Sequence, residues 1–280
     1  MLDDKQRHEL IERLVHSPSY RVAFRDPDLM DRDDLRSVRM ELEFLKTDLI
    51  LRQQGVESTI VVFGSTQVCE PAEAQKKLDR ARSRLADTPD DSRRRRAVAR
   101  AERVAAKSPY YDVAREFARL VSSQCQIEGR CNYVITTGGG PGVMEAANRG
   151  AHDVGAKSVG LNIKLPKEQE PNPYITPELC FQFHYFAVRK LHFLLRAKAL
   201  VIFPGGYGTI DEMFDALTLR QTGRMQHIPI ILFGRKYWER TINFQFLADE
   251  GTIDDRDLDL FRFVDTPDEA WQMIQDFHRR

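Results

Sequence analysis

The sequence predicts an α/β fold, a Rossmann-like doubly wound parallel sheet, with an N-terminal helical extension and a charged helical arm. Three observations carry that prediction. From Ser108 onward, short β-branched runs alternate with amphipathic helical stretches. Two glycine-rich loops, 138–142 (Gly-Gly-Gly-Pro-Gly) and 204–208 (Pro-Gly-Gly-Tyr-Gly), each follow such a run and lead into a helical stretch. A chain of 280 residues that is 42% hydrophobic and 30% charged has an ordinary globular composition. Strands alternating with helices imply parallel pairing with helices on both faces. Ligands of such sheets sit beyond the carboxyl ends of the strands, where both loops fall.

Residues 1–55 are expected to form the helical extension, because Leu35, Val38, Leu42, Leu45 and Leu49 recur at spacings of three and four before Gly55. Such a stripe needs a partner surface, on the main domain or on a second subunit. Residues 56–280 form the α/β domain, opened by a β-branched run at 58–63 that feeds the turn Gly64-Ser65-Thr66. The segment 70–107 holds 12 Lys/Arg and 7 Asp/Glu, broken by Asp87-Thr88-Pro89-Asp90-Asp91. It predicts two charged helices joined as a hairpin-like arm, solvated or bridging subunits. Beyond it the pattern gives a helix over 111–122, a strand over 132–137 and a helix over 143–151. A strand over 158–163, a Pro-rich loop over 165–177 and a short strand over 181–185 follow. Then come a helix over 187–198, a strand over 200–203, a helix from Thr209, and a strand over 228–233. A further helix, a strand over 261–264 and a final helix from Pro267 complete the order.

Composition excludes several classes. The 42 Lys+Arg cancel the 42 Asp+Glu, so the chain has no overall electrostatic footprint for nucleic acid or anionic lipid. The arm lacks the aromatic interleaving of a single-strand binder. Apolar runs of about five residues fall far below the ~20 that span a bilayer, and the start Met-Leu-Asp-Asp is not a secretory signal. The chain reads as cytoplasmic. Cys69, Cys125, Cys131 and Cys180 match neither zinc nor disulfide spacing and are expected to be buried structural thiols, and nothing points to a required metal or other cofactor.

A loop that wraps a phosphate needs inward backbone N–H groups, close approach and positive φ, with a helix N-terminus behind it. Both glycine loops meet those requirements, which points to a phosphorylated ligand. Neither is a dinucleotide fingerprint: the sixth residue counted from Gly138 is Val143, and from Gly140 it is Glu145. The nearest approach to a P-loop, from Gly150 to Ser158, has Ala156 in the wrong place and precedes a strand. Within the second loop, Thr209-Ile-Asp-Glu212 reads in two compatible ways. It is a capping box with Thr209 as N-cap, or it is a carboxylate one helical turn from a bound phosphosugar. Arg189 and Lys190 lie at the start of the preceding helix, where Arg189 would fork onto phosphate or ribose oxygens. His184 is a strand histidine for packing or for the pocket. The Pro-restricted stretch 164–172 is long enough to close over a substrate.

These residues resemble the Lonely Guy (LOG) family, many of whose members carry an old lysine decarboxylase label. The resemblance covers residues 58–280. It rests on Gly138-Gly-Gly-Pro-Gly-Val-Met-Glu145, on Arg189-Lys190 and on a complete P-G-G-x-G-T-x-x-E match from Pro204 to Glu212. It implies an N-glycosidase that splits nucleoside 5′-monophosphates, AMP or a cytokinin riboside monophosphate, into free base and ribose 5-phosphate. Arg189 and Glu212 would be the catalytic pair. Gly205, Gly206, Tyr207, Gly208 and Thr209 would hold the phosphate, and Ser65, Gly138, Gly139, Gly140, Glu145 and Lys190 would complete the substrate site. The resemblance further implies a homodimer or larger homo-oligomer. In three places the chain departs from the family pattern: Phe186-Ala187-Val188 stands where plant-type members have Met-His-x, the arm 70–107 replaces a short loop, and the first 55 residues have no counterpart in the short members. A non-catalytic nucleotide or pterin-cofactor carrier is the alternative on the same fold. A PLP-dependent decarboxylase with Lys190 as Schiff base is a weaker one, for want of an Asp to face the pyridine nitrogen.

Overall fold

A computed structural model describes residues 2–126, 131–166 and 170–279. The chain divides into two compact units, Met1–Lys46 and Thr47–Arg280. The first unit contains α1 (Asp4–Val15), α2 (Pro27–Met30) and the first part of α3 (Arg36–Gln53). Asp3 begins α1 with a reciprocal capping box to Gln6, and Asp26 caps α2 through the amides of Asp28 and Leu29. Arg39 of α3 donates to the carbonyls of Met30 and Arg32 at 2.5 and 2.6 Å. No residue of α1 is buried. Past α3, Gly55 adopts φ +72°, the left-handed conformation that commonly closes a helix.

The second unit is the predicted α/β body. It runs β1 (Thr59–Phe63), α4 (Pro71–Ala86), α5 (Ser92–Ala105), α6 (Pro109–Cys125), β2 (Val134–Thr137), α7 (Val143–His152), β3 (Ser158–Ile163), β4 (Cys180–Phe183) and α8 (Phe186–Leu195). It continues with β5 (Ala197–Ile202), α9 (Tyr207–Gln221), β6 (Ile230–Phe233), α10 (Arg235–Thr241), α11 (Phe244–Asp249), β7 (Arg262–Val264) and α12 (Pro267–Arg279). The described strands pair in parallel in the order β4-β3-β2-β1-β5-β6-β7. Chain order runs outward from β1 one way and from β5 the other, so the topological switch lies between them. All of β1 is buried. Its Ile60 and Val62 pack with Phe117, Ala146, Ala147 and Val201 in one core. Phe203 and Phe233 stack there with ring centroids 4.4 Å apart.

The arm is a helical hairpin. Asp91 caps α5 by accepting from the amides of Arg93 and Arg94, Arg82 pairs with Glu102 at 2.9 Å, and Arg94 donates to the Arg84 carbonyl. At its base, Arg149 of α7 pairs with Glu70. No helix among the described residues is long and apolar enough to cross a membrane.

Several boundaries and environments differ from the sequence expectation. Helix α8 stops at Leu195 and β5 starts at Ala197, inside the stretch expected to be helical to residue 198. Ala197-Lys198-Ala199 has helical composition, but pairing with β1 overrides it. Of the four thiols only Cys131 is buried; Cys69 and Cys125 are half-buried, and Cys180 is exposed because it points away from the buried face of β4. Burial pushes the Cys125 thiol up to about 11.

The C-terminal half of α3 is pinned to the body by a buried charge. Asp48 accepts from Arg196 at 2.6 Å and pairs with Arg52 at 2.8 Å. Burial works to raise the Asp48 pKa, but Arg196 and Arg52 outweigh it and hold the carboxyl below its ordinary value. The carboxylate therefore contributes stability above its unfolded pKa and loses it as pH falls through the folded one. Replacing Asp48 with Asn leaves Arg196 uncompensated and is expected to cost about 3 kcal/mol at pH 7, read from urea unfolding, with the difference shrinking below pH 4. An undiminished difference at pH 3 would contradict the charge pairing.

Candidate active site

The carboxyl ends of β1, β2 and β5 open into a cleft of about 380 Å³ at the topological switch. Behind β1, Ser65 laces the two glycine loops together through its backbone. Its N–H donates to the Pro204 carbonyl and its carbonyl accepts from Val143 N–H, both at 3.1 Å. That lacing holds Gly142 at φ +79°, where a Cβ would collide with the Ser65 carbonyl.

The two glycine loops prove chemically unlike. In the first, the space that the missing side chains leave is filled by protein. A Cβ on Gly138 would lie 2.6 Å from Nη2 of Arg189, and one on Gly139 would strike the Asn162 amide. Beneath this loop, Asn148 accepts from Thr137 Oγ1 at 2.7 Å and from Asn172 Nδ2 at 3.0 Å, and Asn172 also bonds the carbonyls of Gly139 and Gly140. In the second loop, Cβ positions at Gly206 and Gly208 meet nothing within 4 Å. Helix α9 begins there, with Gly206 as an N-cap that makes no side-chain bond. The first intrahelical bond runs from Ile210 N–H to the Gly206 carbonyl, 3.0 Å. The amides of Tyr207, Gly208 and Thr209 thus stand at the orphan donor positions of a helix N-terminus, beside open space.

The capping-box expectation for Thr209 is overturned. The helix starts two residues earlier, so Thr209 is its third residue, buried against Gly205 rather than capping. Glu212 consequently lies further into the helix than a capping partner would, and its carboxylate is not tied to an N-cap amide.

Arg189, on the first turn of α8, donates through Nε to the Leu161 carbonyl at 2.7 Å, and its guanidinium lies 4.9 Å from the Phe193 ring centre. Burial draws its pKa down and Glu212 draws it back up. Glu212 responds in the opposite sense. Burial pushes its carboxyl up to about 7, opposed by Arg189 and Lys190 and reinforced by Asp211 and Asp215. A carboxyl poised near neutrality in a cleft beside a fixed cation and a turn of open amides can exchange a proton with water or a ligand and stabilise neighbouring positive charge.

Among the residues singled out from sequence, Ser65, Gly138, Arg189, Gly206, Tyr207, Gly208, Thr209 and Glu212 line this cleft. Others do not. Gly139 and Gly140 are buried within the first loop. Gly205 packs on Thr209 and accepts from Tyr237 Oη at 2.6 Å. Glu145 accepts from Tyr111 Oη at 3.0 Å. Lys190 pairs with Asp211 at 2.8 Å and with Asp215. Burial lowers the Lys190 pKa but these two aspartates raise it further, so the amine is held protonated and paired, which does not suit a Schiff-base lysine. His184 is exposed against Tyr185 and does not line the cleft. Of the expected closing loop, residues 167–169 lie outside the described residues, and none of the described ones lines the cleft.

The structure adds Phe63, Thr66, Gln67, Met144 and Phe186 to the cleft. The β-strand-to-turn run at 58–66 marked the neighbourhood of the first three, but nothing in the sequence brings them to Arg189.

A family model described as "Possible lysine decarboxylase" matches residues 144–274. Cytokinin riboside 5′-monophosphate phosphoribohydrolase LOG2 of Arabidopsis thaliana is 29% identical over 120 residues, 42% of this chain and 52% of that protein. The enzyme of the same description, LOG, from Oryza sativa subsp. japonica is 28% identical over 119 residues, 42% of this chain and 46% of its own. The chain spans about half the length of the curated relatives it matches. Among solved structures, the X-ray structure of TM1055 is 23% identical, with a TM-score of 0.48 over 78% of this chain and 99% of that one.

The elevated Glu212 pKa has a measurable consequence. The native carboxyl binds its proton more tightly than the unfolded one, so stability falls as pH rises from the ordinary 4.5 through about 7. Glu212→Gln should therefore be more stable than wild type at pH 8, by roughly 1–3 kcal/mol, and the advantage should close toward pH 5. Equal stability of the two proteins at pH 8 would refute a half-buried, proton-hungry Glu212.

Proposed function

We propose that this chain, which resembles the Lonely Guy family, hydrolyses in its cleft the N-glycosidic bond of a nucleoside 5′-monophosphate, AMP or a cytokinin riboside monophosphate, releasing free base and ribose 5-phosphate. The observation that carries this reading is the pairing of Glu212, a carboxyl near neutrality, with the open amide turn of α9 one helical turn away. That spacing suits a ligand with a phosphate at one end and a carbon that becomes electron-poor at the other.

The chemistry follows from charge. As the C1′–N bond breaks, its electron pair leaves with the base while C1′ and O4′ become positive. The 5′-phosphate docks on the amides of Tyr207, Gly208 and Thr209, fixing the reacting carbon at no expense to the chemical step. The Glu212 carboxylate stabilises the sugar cation and takes the proton of the attacking water, whose oxygen becomes the new C1′ hydroxyl; the departing base takes a proton from solvent, and Glu212 gives its own back to solvent. Arg189 holds ribose or phosphate oxygens and keeps part of the Glu212 population ionised. Phe63, Met144 and Phe186 offer the apolar surface on which a flat base would rest. The cytoplasmic location and self-association belong to this proposal equally.

Incubation with AMP, CMP, GMP and a cytokinin nucleotide, followed by chromatography for free base, tests the reaction. Binding of a nucleotide without any release of base would favour the carrier reading instead. Glu212→Gln is expected to retain AMP binding and lose orders of magnitude in turnover, whereas Arg189→Ala should impair both; wild-type kinetics in either variant would dismiss the assigned role. With Glu212 acting as a base, kcat/KM should climb up to tenfold per pH unit on the acid side and level above about 7. The second ionisation of a phosphate monoester, near pH ~6, is present whichever protein is used, so its inflection should persist in Glu212→Gln while the step near neutrality disappears.

A further inference from the structure

Helix α9 carries a cation where its pattern calls for an apolar residue. Met213, Ala216 and Leu217 form its buried stripe, and the next position at helical spacing is Arg220. Arg220 is accordingly half-buried, and its Nε and Nη1 are both buried without a hydrogen-bond partner. Burial draws its pKa down. Other dehydrated arginines of the body are compensated: Arg189 has the Leu161 carbonyl and Glu212, and Arg196 has Asp48. Nor does the end of α9 offer Arg220 an acceptor. The carbonyls of Thr218, Leu219 and Arg220 already accept from the N–H groups of Thr222, Arg224 and Gly223.

Arg220 lines a cavity of about 630 Å³, within the ~300–1,000 Å³ of small-molecule sites. The cavity lies where β6 and β7 begin, with one face of α12 as a wall. That is the amino-terminal edge of the sheet, opposite the edge that holds the cleft. Helix α9 therefore starts at one hollow and ends at the other, about 20 Å away at 1.5 Å per residue. The other charges around the cavity are engaged. Arg262 pairs with Asp259 at 3.0 Å and donates to the carbonyls of Asp259 and Phe261. Glu269 accepts from the Asp265 N–H at 3.1 Å, and Asp276 accepts from Gln272 Nε2 at 2.7 Å. One positive charge is left over, beside the apolar side chains of Ile228, Leu260, Phe261, Met273 and Phe277.

We propose that this cavity binds a small organic acid, with its single carboxylate against Arg220 and its apolar body against Leu260, Phe261 and Phe277. A guanidinium is built to meet a carboxylate, and a buried one gains most from meeting it. A single negative charge matches the single uncompensated cation. A polyphosphate would set surplus negative charge against Asp259, Glu269 and Asp276. The inference is independent of the reaction proposed above.

Calorimetric titration of the full chain with hydrocinnamate and with octanoate tests it. At least one of the two should bind wild type with a Kd below about 1 mM. Arg220→Met, which keeps an apolar stem and deletes the charge, should weaken that binding at least tenfold. The corresponding alcohol should bind wild type at least tenfold more weakly than the acid, and equally in both proteins. Met273→Trp narrows the cavity while leaving Arg220 in place, and should weaken the acid several-fold. Because it removes an uncompensated charge, Arg220→Met should unfold in urea at a midpoint no lower than wild type. Failure of wild type to bind either acid at about 10 mM would overturn the proposal, and so would undiminished affinity in Arg220→Met. A lowered urea midpoint would also overturn it, by showing that the guanidinium already has its partner within the protein.

Discussion

The dehydration of one guanidinium sets the terms for the rest of the site. Arg189 remains charged in a place where little water reaches it, so each of its neighbours answers a need for compensation. The Leu161 carbonyl takes its Nε proton, the Phe193 ring lies against its face, and Glu212 supplies the opposing charge. The demand extends to the backbone, because the guanidinium occupies the volume that any side chain at residue 138 would need. A glycine that looks in sequence like part of a phosphate cup is thus a clearance for a cation. The same scarcity of water raises the Glu212 carboxyl toward neutrality, so one physical condition produces both members of the candidate pair.

This division of labour explains why a single sheet carries two glycine loops. The first is a packed joint, filled by Arg189 and Asn162 and braced from below by the amides of Asn148 and Asn172. The second is left open, with helix-terminal amides unmasked. Ser65 ties both to the end of β1, so the open loop and the loop that seats the cation are hydrogen-bonded to the same residue.

Much of this was legible beforehand. The order of strands and helices, the hairpin of the arm and the placement of both loops at carboxyl ends follow from local patterns, whereas the pairing of Arg189 with Glu212 was implied by the family resemblance. The misreadings have a common cause in information that local patterns do not contain. Thr-x-x-Glu has the spacing of a cap, but an open Gly206 lets the helix begin earlier. Ala197-Lys198-Ala199 has the composition of a helix, but β1 lies alongside and recruits it into the sheet. Cys180 occupies a strand as expected, on the face that happens to be outward. Phe63, Gln67 and Met144 reach the cleft from segments far apart in the chain, and only the sheet order places them there. The network under the first loop joins Thr137, Asn148, Ser158 and Asn172, polar residues with no shared motif.

Lys190 follows Arg189 on α8, and Asp211 precedes Glu212 on α9. The ionic clasp between Lys190 and the two aspartates therefore acts as a gauge block, fixing the gap between the two helices one residue away from where the proposed chemistry takes place. Machinery mounted on such a block arrives at the reaction already aligned, and a nucleotide entering the cleft would find the distance set rather than having to set it.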